Sequence, residues 1–499
     1  MPCPSRSVCA GAAPLVSPGS LVPLAPLLDK RREHCGVLGV LRGSGSAAPL
    51  VHRGLLALQH RGQEGAGIVS VDDSGQLHSL RGRGLVVSAL PIEDVHALPG
   101  RLAIGHVRYS TVAVDHAENL QPFFADTPLG RFAIAHNGNF QNAPELAAQL
   151  AHGGAVLSTT MDTELFLHLS ARAGSTEIAA ALRHAAERIV GAYSLALLIA
   201  GRLFGLRDPH GVRPLVIGRL LSRGAPDGWV LASETCALAA VGARYVREVA
   251  PGELVELGPH GLISTQLLAP RPRPAPCVFE LVYFARPDSQ VFSQSVYEAR
   301  VRMGEELAAQ DDTSESGPIA ARADLVVPVP DSGVPAALGY ARKSRLPFEP
   351  AILRSRFVGR TFILPDQDAR SHAVQLKLSV VPAAVAGKRV VLVDDSLVRG
   401  STARPLVQLM REAGAAAVFL RIASPPIREP CYLGIDTPSR DELLINRAFP
   451  DAAGEHRGLE AVRRYLNVDD LRYLEQDGLH RATQKRPFCT ACMDGDYPV

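Results

Sequence analysis

Residues 388–414, KRVVLVDDSLVRGSTARPLVQLMREAG, admit few folds. The run VVLV is apolar at every position, so both of its faces need cover. That marks a strand inside a parallel sheet rather than one side of an antiparallel sheet. A short acidic loop with one glycine follows, and then a stretch with helical spacing. DLVVPVPDSGVPAALGYARKS (324–344) repeats the order strand, tight turn, helix, and AAAVFLRIASPP (415–426) supplies a further strand. Strands alternating with helices predict a parallel, doubly wound sheet for this part of the chain.

The first half has a different grammar. Short apolar runs broken by Gly and Asp recur: CGVLGVLRG, EGAGIVSVDD, RLAIGHVRYS, RFAIAHNGNF, YSLALLIAGRLFGLRD and WVLASE. They predict strands of antiparallel type. Helical spacing is confined to 48–62 and to 162–174, where Leu165, Phe166 and Leu169 share a face. Layers of sheet and helix are expected here. RPRPAP (271–276) reads as the linker between the two regimes. At 499 residues the chain is too long for one core, and two domains are the default.

Several classes are excluded. A net charge of +2 gives no broad electrostatic grip on nucleic acid. No apolar stretch reaches 18 residues, so no membrane span is predicted. Eight cysteines scattered over this length are no disulfide framework, which places the chain in a reducing, cytoplasmic setting. Residues 1–34 are rich in Pro, Ala and Ser and lack the charged and apolar blocks of a secretory signal. A disordered leader, or a start codon placed too far upstream, would explain them equally well.

The string VVLVDDSLVRGST (390–402) carries the chemistry of the second half. Ligands of open α/β sheets bind at the carboxyl ends of strands. A glycine turn entering a helix offers N–H groups to a phosphate. Adjacent acids, Asp394 and Asp395, suit a ribose diol or Mg²⁺ held with a pyrophosphate. A bare pair of acids would read as a solvated turn; the whole string favours a site.

This string resembles the phosphoribosyl pyrophosphate (PRPP) motif of type I phosphoribosyltransferases. The resemblance assigns Asp394 and Asp395 to the ribose hydroxyls, and Arg399, Gly400, Ser401 and Thr402 to the 5′-phosphate loop. PVPDSGVPAA resembles the pyrophosphate loop of the same fold, with Asp331, Ser332 and Gly333 at the turn. LRSRFVGRTFI (353–363) resembles the loop that closes over PRPP, with Arg354, Arg356 and Arg360 as its cations. The family's Mg²⁺ positions match Ser332, Asp394 and Asp395. Leu364 stands where the family usually has Gln.

CGVLGV (35–40) resembles the start of the N-terminal-nucleophile glutamine amidotransferases. LQHRGQEGAG, HVRYST, HNGNF and STTMDTE follow in that class's order. Both halves together resemble the amidophosphoribosyltransferase family, in its iron–sulfur branch. The expected fold is α+β and α/β: an αββα glutaminase domain at 35–265, a phosphoribosyltransferase domain at 266–465 and a C-terminal tail at 466–499. The expected reaction transfers ammonia from glutamine to C1 of PRPP, giving 5-phosphoribosylamine, glutamate and pyrophosphate.

The chemistry also accounts for the leader. A free α-amine can serve as the base for the thiol of its own residue. That amine exists only if the bond between His34 and Cys35 is cut, so residues 1–34 are expected to be a propeptide. Family propeptides are often short and end in Glu-Glu, whereas this one ends in Glu33–His34. Cys35 is then the nucleophile, and Asn137 and Gly138 are the family's oxyanion donors. The resemblance assigns Arg108 to the glutamine carboxylate, Asp162 to its ammonium, and Arg61, Gly62 and Thr111 to further contacts.

Cys489 and Cys492 form one C-x-x-C. Alone this fits a redox pair, half a zinc site or nothing. The surroundings of Cys277 and Cys431 resemble the branch in which four such cysteines hold a [4Fe–4S] cluster, with zinc as the competing metal. Cys236 matches no ligand position and is read as buried. A homotetramer, inhibited by purine nucleotides, is implied by the resemblance. Two other classes remain: a non-catalytic PRPP-binding regulator, and a cysteine amidotransferase acting on a sugar phosphate.

Overall fold

The computed structural model describes residues 35–109, 117–222, 224–313, 317–355, 378–435, 439–447, 449–451 and 454–498. The leader, Thr111, Arg356 and Arg360 lie outside the described residues.

The first unit is a four-layer αββα sandwich. Its seven-stranded antiparallel sheet runs Ala243–Glu248, Val216–Ser222, Ala225–Ala232, Gly36–Arg42, Leu102–Arg108, Gly65–Val71, Leu77–Arg83. The facing six-stranded sheet runs Gly261–Gln266, Glu253–Gly258, Arg202–Arg207, Gly191–Ile199, Gly130–Phe140, Phe123–Thr127. Strand alternation sorts the apolar residues into three cores. Val37, Ile104, Ala133, Ala135, Ala196 and Leu198 fill the gap between the sheets. Leu38, Val40 and Ile68 point outward to helix Ala48–Ala57. Ile134, Leu195 and Leu197 meet helices Asp162–Ala171 and Ile178–Ala186. The predicted strands and both predicted helices are present. Six strands and further helices, among them Ala143–His152 and Ile178–Ala186, join them.

The second unit holds a four-stranded parallel sheet, ordered Leu325–Pro328, Arg389–Asp394, Ala417–Ile422, Asp470–Tyr473. It is doubly wound. Val391 and Val393 enter a core with Met303 and Leu307 of helix Val296–Asp312 and Tyr340 of helix Val334–Ser344. Val390 and Leu392 enter another with Leu406 and Met410 of helix Ala403–Glu412 and Val462 of helix Leu459–Leu466. One boundary needs correction. The tail expected from 466 onward is no appendage, because Asp470–Tyr473 completes this sheet beside Phe419–Ile422.

Candidate active sites

Cys35 is fully buried at the entry to strand Gly36–Arg42. Gly36 pairs with Val107 in antiparallel register, which sets Cys35 beside Arg108. Val37 faces the gap between the sheets, so by period two Cys35 faces it as well. On the opposite sheet Ala133 and Ala135 face the same gap, and Asn137 is the next residue of that series. Cys35 and Asn137 therefore point into one intersheet space from opposing sheets. Asn137 is 1% exposed, and its Nδ2 and Oδ1 both lack a hydrogen-bond partner among the described residues. A buried primary amide is costly to leave unsatisfied, and water or a ligand is the ordinary remedy.

The main chain around Asn137 is set by alternation. In antiparallel strands the N–H and C=O of one residue point to the same side. Gly138 pairs with Tyr193, whose N–H and C=O both turn to Asp208 on the far side. The register therefore turns the main-chain groups of His136, Gly138 and Phe140 outward together. Gln121 Oε1 accepts from His136 N at 2.8 Å, and His106 Nε2 lies 3.1 Å from His136 O. Asp162 Oδ2 accepts from Phe140 N at 2.9 Å. The Gly138 N–H belongs to this edge.

Arg108 reaches the residue next to Asp162. Arg108 is fully buried at the end of its strand, and its Nη2 lies 4.0 Å from Sδ of Met161, which precedes Asp162. Asp162 opens helix Asp162–Ala171. Glu164 folds back to accept from the Ser158 and Thr159 N–H groups at 2.7 and 2.8 Å, which orders the loop before it. Gly62 permits a close approach: a β-carbon there would stand 2.6 Å from Arg108 N and closer still to its carbonyl.

The expectation for Arg61 changes. Its guanidinium is buried and occupied by two carboxylates, Glu234 and Glu280, with Nη2 2.6 Å from Glu280 Oε2. Burial opposes this charge, yet Glu234 and Glu280 raise its pKa above the ordinary value. Only the main chain of Arg61 is left to meet a substrate. Glu280 also pairs with Arg213 at 3.3 Å, so this network joins the two units. No local motif announces Glu234, Glu280, Arg213 or Gln121; each is recruited from a distant part of the chain.

In the second unit the expected groups converge at the carboxyl ends of the parallel strands. Pro328 pairs with Val393, which brings the Asp331–Gly333 turn beside Asp394. A β-carbon on Gly333 would lie 2.8 Å from Val393 O and 3.3 Å from Asp394 Cα. Asp394 Oδ1 accepts from Asp395 N at 2.9 Å, and Asp395 Oδ1 from Ser396 Oγ at 2.5 Å. Burial, then the charge of Asp395, pushes the Asp394 carboxyl well above the ordinary range. Burial raises Asp395 too, against hydrogen bonds from Ser332 and Ser396. Gly400, at φ +74°, turns the loop, and Ser401 and Thr402 lead into helix Ala403–Glu412. Arg399 and Ser401 are exposed. Arg354 Nη1 lies 2.6 Å from Asp331 Oδ2, an exposed pair at the mouth of the site.

The four expected cluster cysteines share one core. Cys277 and Cys489 are bridged as parallel main chain, with Cys489 N donating to Pro276 O at 2.8 Å. The Cys492 carbonyl accepts from Arg428 N at 2.9 Å, three residues before Cys431. Burial pushes the thiols of Cys277, Cys489 and Cys492 up, Cys489 to about 12, and the neighbouring cysteines add to the rise. Among the described residues no group of three or more His, Cys, Asp or Glu side chains is arranged to hold a metal ion. Cys236 is buried elsewhere, with Sγ 3.6 Å from Glu234 Oε2.

Residues 106–240 match the family model of a glutamine amidotransferase domain. A chloroplastic amidophosphoribosyltransferase 2 of Arabidopsis thaliana is 46% identical over 94% of this chain and 80% of its own length. An amidophosphoribosyltransferase of Archaeoglobus fulgidus is 43% identical over 93% of this chain and 98% of its own. A solved glutamine PRPP amidotransferase from B. subtilis, complexed with ADP and GMP, superposes with a TM-score of 0.82 at 39% identity, covering 93% of this chain and 97% of that one. Extended likeness across both units thus joins the paired sites described above: this chain belongs to the amidophosphoribosyltransferases, the glutamine-dependent transferases that open purine biosynthesis.

Proposed function

We propose that Cys35, as the first residue of the mature chain, releases ammonia from glutamine inside the sandwich, and that this ammonia attacks PRPP at the parallel sheet. The unpartnered Asn137 amide, facing the same gap as Cys35, carries the reading. The α-amine of Cys35 takes the thiol proton, and Sγ attacks the side-chain carbonyl carbon of glutamine. Asn137 Nδ2 and the Gly138 N–H receive the oxyanion. The proton passes to the departing nitrogen, and water hydrolyses the thioester to glutamate. Arg108 takes the glutamine carboxylate and Asp162 its ammonium, with Gly62, Thr111 and the Arg61 main chain completing the pocket.

In the second unit Asp394 and Asp395 hold the ribose hydroxyls, and the loop through Arg399, Gly400, Ser401 and Thr402 holds the 5′-phosphate. Asp331, Ser332 and Gly333 receive the pyrophosphate, covered by Arg354, Arg356 and Arg360. Ammonia bonds to C1 as the C1–O bond to pyrophosphate breaks, and the surplus proton is lost to solvent. Two adjacent carboxylates beside a hydroxyl form a hard oxygen donor set, which fits Mg²⁺ at Ser332, Asp394 and Asp395. When bound, Mg²⁺ neutralises the leaving pyrophosphate.

Cys277, Cys431, Cys489 and Cys492 share one core without being arranged around a metal-sized centre, and would hold a [4Fe–4S] cluster by closing around it. A bound centre would take the four as thiolates, and zinc is the alternative. Its role is structural: it fastens the chain's end to the start of the second unit. The solved relative holding ADP and GMP supports inhibition by purine nucleotides. A homotetramer in the cytoplasm belongs to the same proposal.

The intact mass of protein purified without oxygen and then denatured tests this reading. A mass matching residues 35–499 is expected. A full-length mass with undiminished use of glutamine would overturn the amine's role. Iron and acid-labile sulfide measured on the same sample should each approach four per chain; stoichiometric zinc would replace the cluster.

A further inference from the structure

The second unit touches the first at one telling place. Segment Cys431–Ile435, which begins with a proposed cluster ligand, lies against the outward edge of strand Gly130–Phe140. Gly434 has φ +98°, and a β-carbon there would stand 2.9, 3.1 and 3.2 Å from C, O and Cα of Gly138. Asn139 Nδ2 donates to Tyr432 O at 2.9 Å. Arg213, 1% exposed, donates from Nη2 to Leu433 O at 3.0 Å while Nη1 meets Glu280. Three consecutive residues of the segment are thus fixed against the first unit, two by hydrogen bonds and one by backbone contact.

We propose that segment 432–434 buttresses the oxyanion hole, with Gly434 and Asn139 as positioning residues for the Gly138 N–H. This rests on the reading of Asn137 and Gly138 as oxyanion donors. An oxyanion donor acts only if it is already aimed when charge develops. His136 and Phe140, two residues to either side, are fixed on this edge by Gln121, His106 and Asp162. Gly138 has no side chain to hold it, and Gly434 packs directly on its carbonyl carbon. The aim of the donor in one unit is therefore set by the second unit, which binds the other substrate.

Gly434→Ala and Asn139→Ala test this, each against Asn137→Ala. Steady-state synthesis is measured with glutamine and, separately, with added ammonia. Both positioning variants should lose roughly tenfold to a hundredfold in kcat with glutamine. KM for glutamine and the ammonia-dependent rate should stay near the parent's. Equal loss with glutamine and ammonia, or a loss confined to KM, would overturn the buttress. If Gly434→Ala does not fold, Asn139→Ala decides alone, because it removes one hydrogen bond and adds no atoms. Full activity of Asn137→Ala would instead overturn the oxyanion reading itself. A large loss in Asn137→Ala with parent-like positioning variants would reject only the buttress.

Discussion

The two units prepare their sites in opposite ways. In the sandwich, Cys35, Arg108 and Asn137 are almost completely buried, and their directions follow from strand alternation. At the parallel sheet the side chain of Asp331 is 74% exposed and Arg399 and Ser401 are open, while Gly333, Asp395 and Gly400 are buried. One site is aimed before substrate arrives; the other offers loops at strand ends for a polyphosphate to gather. The difference suits the tasks. An oxyanion forms transiently and needs fixed donors, whereas PRPP brings enough charge to order its own surroundings.

The contrast can be broken first at the nucleophile. Cys35→Ala should cut glutamine-dependent synthesis at least about a thousandfold and leave synthesis from ammonia intact. Loss of the ammonia reaction as well would mean that the sites are not separable. The shared wall comes next. Glu280→Gln leaves the buried guanidiniums of Arg61 and Arg213 short of a counter-charge, at a cost of about 3–5 kcal/mol in stability. Denaturant melts should show it, and an unchanged midpoint would detach the network from the interface. Asp395→Asn should depress both nitrogen sources by about a hundredfold, read as kcat/KM for PRPP. A selective loss with glutamine would contradict its place at the second site.

The smallest effect is a pH slope. Burial pushes the pKa of His106 down to about 3. The unfolded imidazole takes a proton below about 6.5, while the folded one stays neutral. The stability due to neutral His106 is therefore complete above about pH 6.5 and is lost as pH falls toward 3. His106→Gln should flatten this acid limb by up to about 1.4 kcal/mol per pH unit. A parallel limb in both proteins would show that His106 titrates normally.

Much of this was legible in the chain, for physical reasons that differ by region. The fully apolar VVLV run could only be an interior strand, and it is. HNGNF places His136, Asn137, Gly138 and Asn139 at the end of a strand whose middle is apolar, the kind of local conflict that marks a candidate site. Helix Val296–Asp312 is not legible in the chain because its sequence, VYEARVRMGEELAAQDD, looks solvated. Its buried face includes Arg300, which donates to the Leu281 and Ala285 carbonyls at 2.8 Å, and Gly304, set against the Ala336 carbonyl of the neighbouring helix. Hydrophobic periodicity does not register a buried arginine or a glycine contact. The Arg61 network is hidden likewise, since its carboxylates come from the starts of two remote helical segments.

The pinning of residues 488–493 to the beginning of the second unit also bears on how the chain is made. Cys489 pairs with Cys277, and Phe488, Cys492 and Met493 fill the same core as Val278 and Leu281. A ribosome delivers Val278 long before it delivers Met493. Both sheets of the sandwich are built from residues 36–266, so that body can close while synthesis continues. The second body must wait for the last stretch of chain, and its contacts span nearly its whole length, a topology that folds slowly. During that wait the newborn sandwich lacks the Tyr432–Gly434 contact on its outward edge. A nascent chain would thus gain its ammonia-producing half in finished form only when the half that consumes ammonia is complete.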